Sequence, residues 1–211
     1  WLESEKSKHE ALEFAQRFLK WACQRKTVPL ITRLEIERKI EALQRDLGQY
    51  SNAVENSEKA VDRLDKLGDL VSDETIIQSK VDLAAAYYDA HRFTDEYELL
   101  EPEENRIRQD PRRISPALRS ELYNTLAQAM VILDKDGWEN LYRDSLDIQQ
   151  RVEPHHIPRT QNYLIHGLLK HGRIEDARRE LDSAMQSECV DPFSKTFLWF
   201  YEAELARQEG R

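Results

Sequence analysis

The stretch Leu83-Ala84-Ala85-Ala86-Tyr87-Tyr88-Asp89-Ala90-His91-Arg92-Phe93 decides the fold. Leu83, Ala84, Tyr87 and Tyr88 recur at helical spacing and share one side of a helix. The small residues among them let a second helix approach closely. The pattern breaks at His91-Arg92, and a new one starts at Phe93. The same frame recurs at Leu47-Gly48-Gln49-Tyr50-Ser51-Asn52-Ala53-Val54 and at His171-Gly172-Arg173-Ile174-Glu175-Asp176-Ala177-Arg178. Lys135-Asp136-Gly137-Trp138-Glu139-Asn140-Leu141-Tyr142 fits it with a small insertion before the turn, and Arg207-Gln208-Glu209-Gly210-Arg211 begins a further copy.

Working outward, prolines fall at 29, 102, 111, 116, 154, 158 and 192. Proline costs about 3 kcal/mol inside a helix, so these positions predict breaks between helical units. Each long stretch between them holds one more break, at Gly48, His91, Gly137 or Gly172. Each unit therefore reads as two helices joined by a tight turn. Leu34, Ile36, Ile40, Leu43 and Leu47 carry the helical period, as do Leu122, Leu126, Ala129, Met130 and Leu133. No run alternates as a strand would. Turns centred on 48, 91, 137, 172 and 210 are 43, 46, 35 and 38 residues apart.

These residues resemble the tetratricopeptide repeat. Leu83-Ala84-x-Ala86-Tyr87-Tyr88 with Phe93 is similar to its first helix and turn; Gly172 to Ala177 with Ala184 is similar to its turn and second helix. Ala53 and Ala60 form the same seven-residue small pair, and Ala11-Leu12 with Phe14, Ala15 and Phe18 looks like the second helix of an earlier repeat. A strict period is about 34 residues. The longer spacings here are similar to the extended repeats of kinesin light chain and of the sensor arms of bacterial signalling ATPases. The resemblance implies an all-α, right-handed α-solenoid of stacked antiparallel helix hairpins. The expected organisation is one helical-repeat domain over 1–211, a piece of a longer protein, with hairpin units at 1–28, 30–68, 73–110, 115–152, 157–190 and an incomplete 193–211.

Lys and Arg number 31 against 40 Asp and Glu, a net charge of −9. That charge repels phosphate backbones and argues against a general nucleic-acid grip. Arg106, Arg108, Arg112 and Arg113 form a local basic cluster, diluted by Glu103, Glu104 and Asp110, and read as a solvated loop. No apolar run approaches the roughly 18 residues of a membrane span. Cys23 and Cys189 are too few for a disulfide framework. They fit a reduced, cytoplasmic setting and read as small apolar residues.

The chain encodes no Gly-x-x-x-x-Gly-Lys phosphate loop, no Gly-x-Gly-x-x-Gly loop and no Gly-x-Ser-x-Gly elbow. His9-Glu10-Ala11-Leu12-Glu13 lacks the second histidine of a metalloprotease helix, and His155-His156 lacks a third ligand. No catalytic, cofactor or metal residue is therefore assigned, and an enzyme is not expected. Trp21, Tyr87, Trp138, Phe197 and Trp199 read as core.

What remains is the inner groove, which the first helix of each hairpin lines in this repeat class. The alignment places Arg38, Arg45, Gln78, Tyr88, Asn124, Gln128, Arg159, Asn162, His166 and Lys170 there. This polar set, with one aromatic, suits the backbone and carboxylates of an extended peptide. Chaperone-binding members of the class clamp a C-terminal carboxylate with Lys and Asn. The equivalents here are Arg38 and Ala42, then Val81 and Ala85, so that partner is not expected. The expected function is a scaffold for a protein or peptide partner. The alternatives are a ligand- or peptide-sensing regulatory arm of a multidomain signalling ATPase, transcription regulator or defence protein, and, less supported, an RNA-binding repeat.

Overall fold

The repeated turns of the sequence become one repeated backbone motif. The structure, a computed structural model, describes residues 2–25, 27–186 and 192–208. Cys189 and the turn expected at Gly210 lie outside these residues. The described chain forms α1 (Leu2–Cys23), α2 (Leu30–Asp46), α3 (Tyr50–Leu67), α4 (Asp73–Asp89), α5 (Phe93–Gln109), α6 (Pro116–Ile132), α7 (Trp138–Val152), α8 (Ile157–Lys170), α9 (Ile174–Met185) and α10 (Pro192–Gln208). Two 3-10 turns, Gly68–Leu70 and Pro154–His156, accompany them, and no strand occurs among the described residues. The all-helical expectation holds.

Four helices end in the same left-handed cap. Gly48 (φ 70°), His91 (φ 57°), Asp134 (φ 53°) and Gly172 (φ 69°) take positive φ. In each case the next residue's N–H reaches back five residues: Gln49 to Gln44, Arg92 to Tyr87, Lys135 to Met130 and Arg173 to Leu168, at 2.8–2.9 Å. This is the Schellman closure, which satisfies carbonyls the helix end would leave open. Glycine adopts it without a Cβ clash, and His and Asp are among the residues that tolerate it. The third turn corrects the sequence reading. Its equivalent residue is Asp134, three residues before Gly137, which is itself left-handed (φ 93°) and leads into α7. Gly137, the one glycine of this turn, drew the alignment to the wrong place.

Helix starts follow the proline and serine signals. Ser72 and Ser115 cap α4 and α6, their hydroxyls accepting from Thr75 and Leu118 N–H at 3.3 Å. Pro116 and Pro158 occupy first-turn positions, where no N–H is needed. Pro102 is the exception: it lies inside α5 and ends nothing. Its exposed position lets water serve the carbonyl that loses its donor. Arg106 and Arg108, expected in a loop, therefore ride on α5 and pair with Glu103 (3.0 Å) and Glu104 (2.5 Å).

The chain divides into two compact units, Trp1–Leu100 and Glu101–Arg211. In the first, α1 packs on α2, α2 on α3, α3 on α4, and α2 lies beside α4. Ala53, Val54, Val61, Leu83, Ala86 and Tyr87 form its core cluster, with Ala90 and Leu99 against it. Ala53 and Ala84 are fully buried, as their small-residue positions predict.

In the second unit α6 and α7 form a hairpin, α7 packs on α8, α8 on α9, and α10 on both α8 and α9. Gly167 explains one close approach: a Cβ there would stand 2.7 Å from the Trp138 ring. Trp138 in turn stacks on His171, centroids 5.0 Å apart. Tyr87 and Trp138 are core residues as expected. Trp21, Phe197 and Trp199 are not; they are 42%, 40% and 57% exposed. Trp21 ends a stacked ladder of Phe14, Phe18 and Trp21, with Arg25 at 4.2 Å over its ring. These rings are among the exposed large side chains of α1 and α10. Cys23 is likewise exposed, not a small core residue, because it closes the last turn of α1.

Candidate functional site

The left-handed turn residues give a common ruler for the first helices. Arg38, Val81, Asn124 and Asn162 each stand ten residues before Gly48, His91, Asp134 and Gly172. The structure shows what this position does. At Arg38, Asn124 and Asn162 it reaches the first helix of the following hairpin.

In the first unit, Arg38 on α2 engages Asp82 on α4, Nε to Oδ2 at 2.5 Å. Gln78 donates to the same carboxylate at 3.2 Å. Seven residues on, Arg45 pairs with Asp89 at 2.5 Å. Burial raises the pKa of Asp82, while Arg38 beside it pulls the other way. Tyr88 is 38% exposed and meets Phe93 edge-on at 5.6 Å. Arg38 and Arg45 of α2 thus face two acids of α4, and Gln78 joins Asp82 from α4 itself.

In the second unit, Asn124 on α6 donates to Thr160 Oγ1 on α8 at 2.9 Å. Gln149 donates to the same oxygen at 2.9 Å and to Ser120 at 3.0 Å, and Ser120 meets Ser145 at 2.8 Å. A buried polar chain therefore ties α6, α7 and α8. Asn162 is 5% exposed and donates to the Ser194 carbonyl of α10 at 3.3 Å. The structure places it inside the packing of α8 against α10 and not on an open face. A polar residue marks a helix face as wet only when no neighbour covers it.

The solvent side of α8 carries the predicted Arg159, His166 and Lys170. Arg159, Tyr163, His166 and Lys170 follow at spacings of four, three and four, and so lie along one face. Arg159 Nε donates to Tyr163 Oη at 2.8 Å. Lys170 caps the end of α6, donating to the Val131 and Ile132 carbonyls and pairing with Asp134 at 2.9 Å. This satisfies carbonyls that α6 leaves open. His166 keeps an exposed edge, but loss of hydration, and then the Lys170 charge, lower its pKa. It is neutral near pH 7, able to donate and accept. Gln128 on α6 is half-buried. Sequence reasoning missed Asp82, Asp89, Tyr163 and Thr160. The acids carried no motif, and only the pairing of α2 with α4 reveals them.

The chain has the fold of the TPR-like helical repeats. It is similar to two solved structures of a putative kinesin light chain with nearly identical TPR-like repeats from Podosopora anserina. One of them, a single-substitution form, matches with a TM-score of 0.67 at 19% identity, covering 86% of this chain and 87% of that one. The other gives 0.68 at 18% identity, covering 84% and 87%. BtubC (BKLC) from P. vanneervenii matches with a TM-score of 0.71 at 16% identity, covering 98% of this chain and 83% of that one. No protein-family model matches the sequence, and no curated protein matches it. Among the described residues no helix is long and apolar enough to cross a membrane.

Proposed function

We propose that the chain is a protein-interaction scaffold and that the exposed face of α8 holds an extended peptide. The observation that carries this reading is the Arg159–Tyr163–His166 stripe. It offers a guanidinium, an aromatic ring and a neutral imidazole in a line on a packed helix. A rigid helix presents such groups at little entropic cost. Arg159 suits a carboxylate, Tyr163 a flat or apolar side chain, and His166 a peptide carbonyl or N–H. The partner is thus an extended segment with at least one acidic side chain. TPR-like folds in general serve as protein scaffolds, which supports the class of partner. A cytoplasmic setting belongs to the same reading, since the exposed Cys23 thiol suits a reducing compartment.

Peptide-display selection against the immobilised chain tests this. Acidic extended sequences should be enriched, and Arg159→Ala with His166→Ala should abolish most capture without moving the melting temperature. Interface arginines and aromatics often cost more than about 1 kcal/mol in binding, whereas surface changes shift stability by about 0.5 kcal/mol or less. Equal capture by the double variant would remove the face of α8 from consideration. Asn162 is no probe for this purpose, because its loss would disturb the α8–α10 contact.

A further inference from the structure

In the first unit α1 and α3 both pack against α2 but not against each other. With α2 and α4 they enclose a partly open pocket of about 430 Å³. Packed helical interiors leave few voids larger than a water, and small-molecule sites start near 300 Å³. Leu19, Leu34, Ile40 and Ala60 give the pocket an apolar wall, and Cys23 lies at its edge.

The charges on its wall are unequal. Lys20, Arg38, Lys59 and Arg63 face Glu37, Glu41 and Asp82. Arg63 is bound to Glu37 and Arg38 to Asp82, and Lys59 pairs with Glu55 outside the wall. Lys20 has no acidic partner among the described residues. Glu41 is 6% exposed. Loss of hydration pushes its pKa up to about 7; a Ser57 hydrogen bond opposes this, Asp82 adds to it, and Arg45 and Arg38 oppose it. Near neutral pH the wall therefore carries more positive than negative charge, in a chain whose net charge is −9.

We propose that this pocket binds a small organic acid with an apolar body, its carboxylate at Lys20 and its chain on Leu19, Leu34, Ile40 and Ala60. A cationic amphiphile would meet Lys20 unscreened. A neutral one would use the apolar wall alone. The arriving carboxylate raises the affinity of Glu41 for its proton, so binding takes up a proton. Affinity then falls as pH rises through the pKa of Glu41.

Octanoate, octylamine and octanol serve as probes, with Cys23 as reporter in a Cys189→Ser chain. The rate of Cys23 alkylation by a maleimide is compared with and without each probe at the same pH. Octanoate should slow it saturably, octanol more weakly, and octylamine not at all. Lys20→Gln, an exposed change that spares the fold, should weaken octanoate roughly two- to five-fold and leave octanol unchanged. Octanoate protection should also weaken between about pH 6 and about pH 8. The proposal is overturned if octanoate gives no protection, if octylamine protects as well, or if Lys20→Gln leaves octanoate binding intact. The α8 face takes no part in this experiment, so its outcome is independent of the peptide reading.

Discussion

Glu96 on α5 is fully buried, and neither carboxylate oxygen has a hydrogen-bond partner. Burial, with the Asp89 charge adding to it, pushes its pKa up to about 9 from 4.5. Asp89 pairs with Arg45 at 2.5 Å. Glu96 is therefore a neutral acid in the folded chain at pH 7 and an ionised one in the unfolded chain. Between those two pKa values the unfolded state binds fewer protons, so stability falls by about 1.4 kcal/mol per pH unit. At about pH 7 the accumulated loss is about 3 kcal/mol. It is fully absent only below the unfolded pKa, and it stops growing above the folded one. Glu96→Met keeps an unbranched chain of similar length and removes the titration. The variant should gain about 3 kcal/mol over the parent at about pH 7, and under about 1 kcal/mol of that at about pH 5. Urea unfolding followed by circular dichroism at several pH values measures the difference. Glu41 and Asp82 titrate in both proteins and cancel. A difference that stays constant with pH would refute the reasoning, since removal of an orphaned polar group alone has no pH slope.

Three further outcomes follow from the packing. Ala53, Ala84 and Ala177 have no exposed surface, so replacing any one with Leu should cost about 1–3 kcal/mol in thermal unfolding; a parental melt would place that residue off the contact. Gly167→Ala drives a methyl to within 2.7 Å of the Trp138 ring and should cost a similar amount, about 1–3 kcal/mol. It should also change the near-ultraviolet signal of the tryptophans, and an unaltered spectrum with unaltered stability would deny the close approach. Thr160→Val keeps the shape but leaves the Asn124 amide without its acceptor and removes one of the acceptors of Gln149, at a cost of about 1–3 kcal/mol in urea unfolding. Little change would mean that the buried polar chain re-forms without Thr160.

The sequence was readable where the signal is local. A helix face needs only a period, and a left-handed cap needs only a residue that tolerates positive φ. Hence the helices, the turns at Gly48, His91 and Gly172, and the buried Ala53, Ala84 and Ala177 could be read directly. The third turn failed for a local reason as well, since Asp134 takes the left-handed role without being glycine. The candidate site was harder. Arg38, Asn124 and Asn162 stand at one register of the first helices, but register does not say what stands opposite. Arg38 meets Asp82 44 residues on, and Asn162 meets Ser194 32 residues on.

By itself, then, the amino-acid order determined an all-helical chain of hairpins, because helical period, caps and small contact residues act within a few residues of one another. Only the tertiary structure decided the rest. It turned Asn162 inward and Trp21 and Trp199 outward, left Glu96 without a partner, and opened a charged pocket between α1 and α3. Each of these depends on which helix lies opposite, and that contact joins residues that no local pattern links.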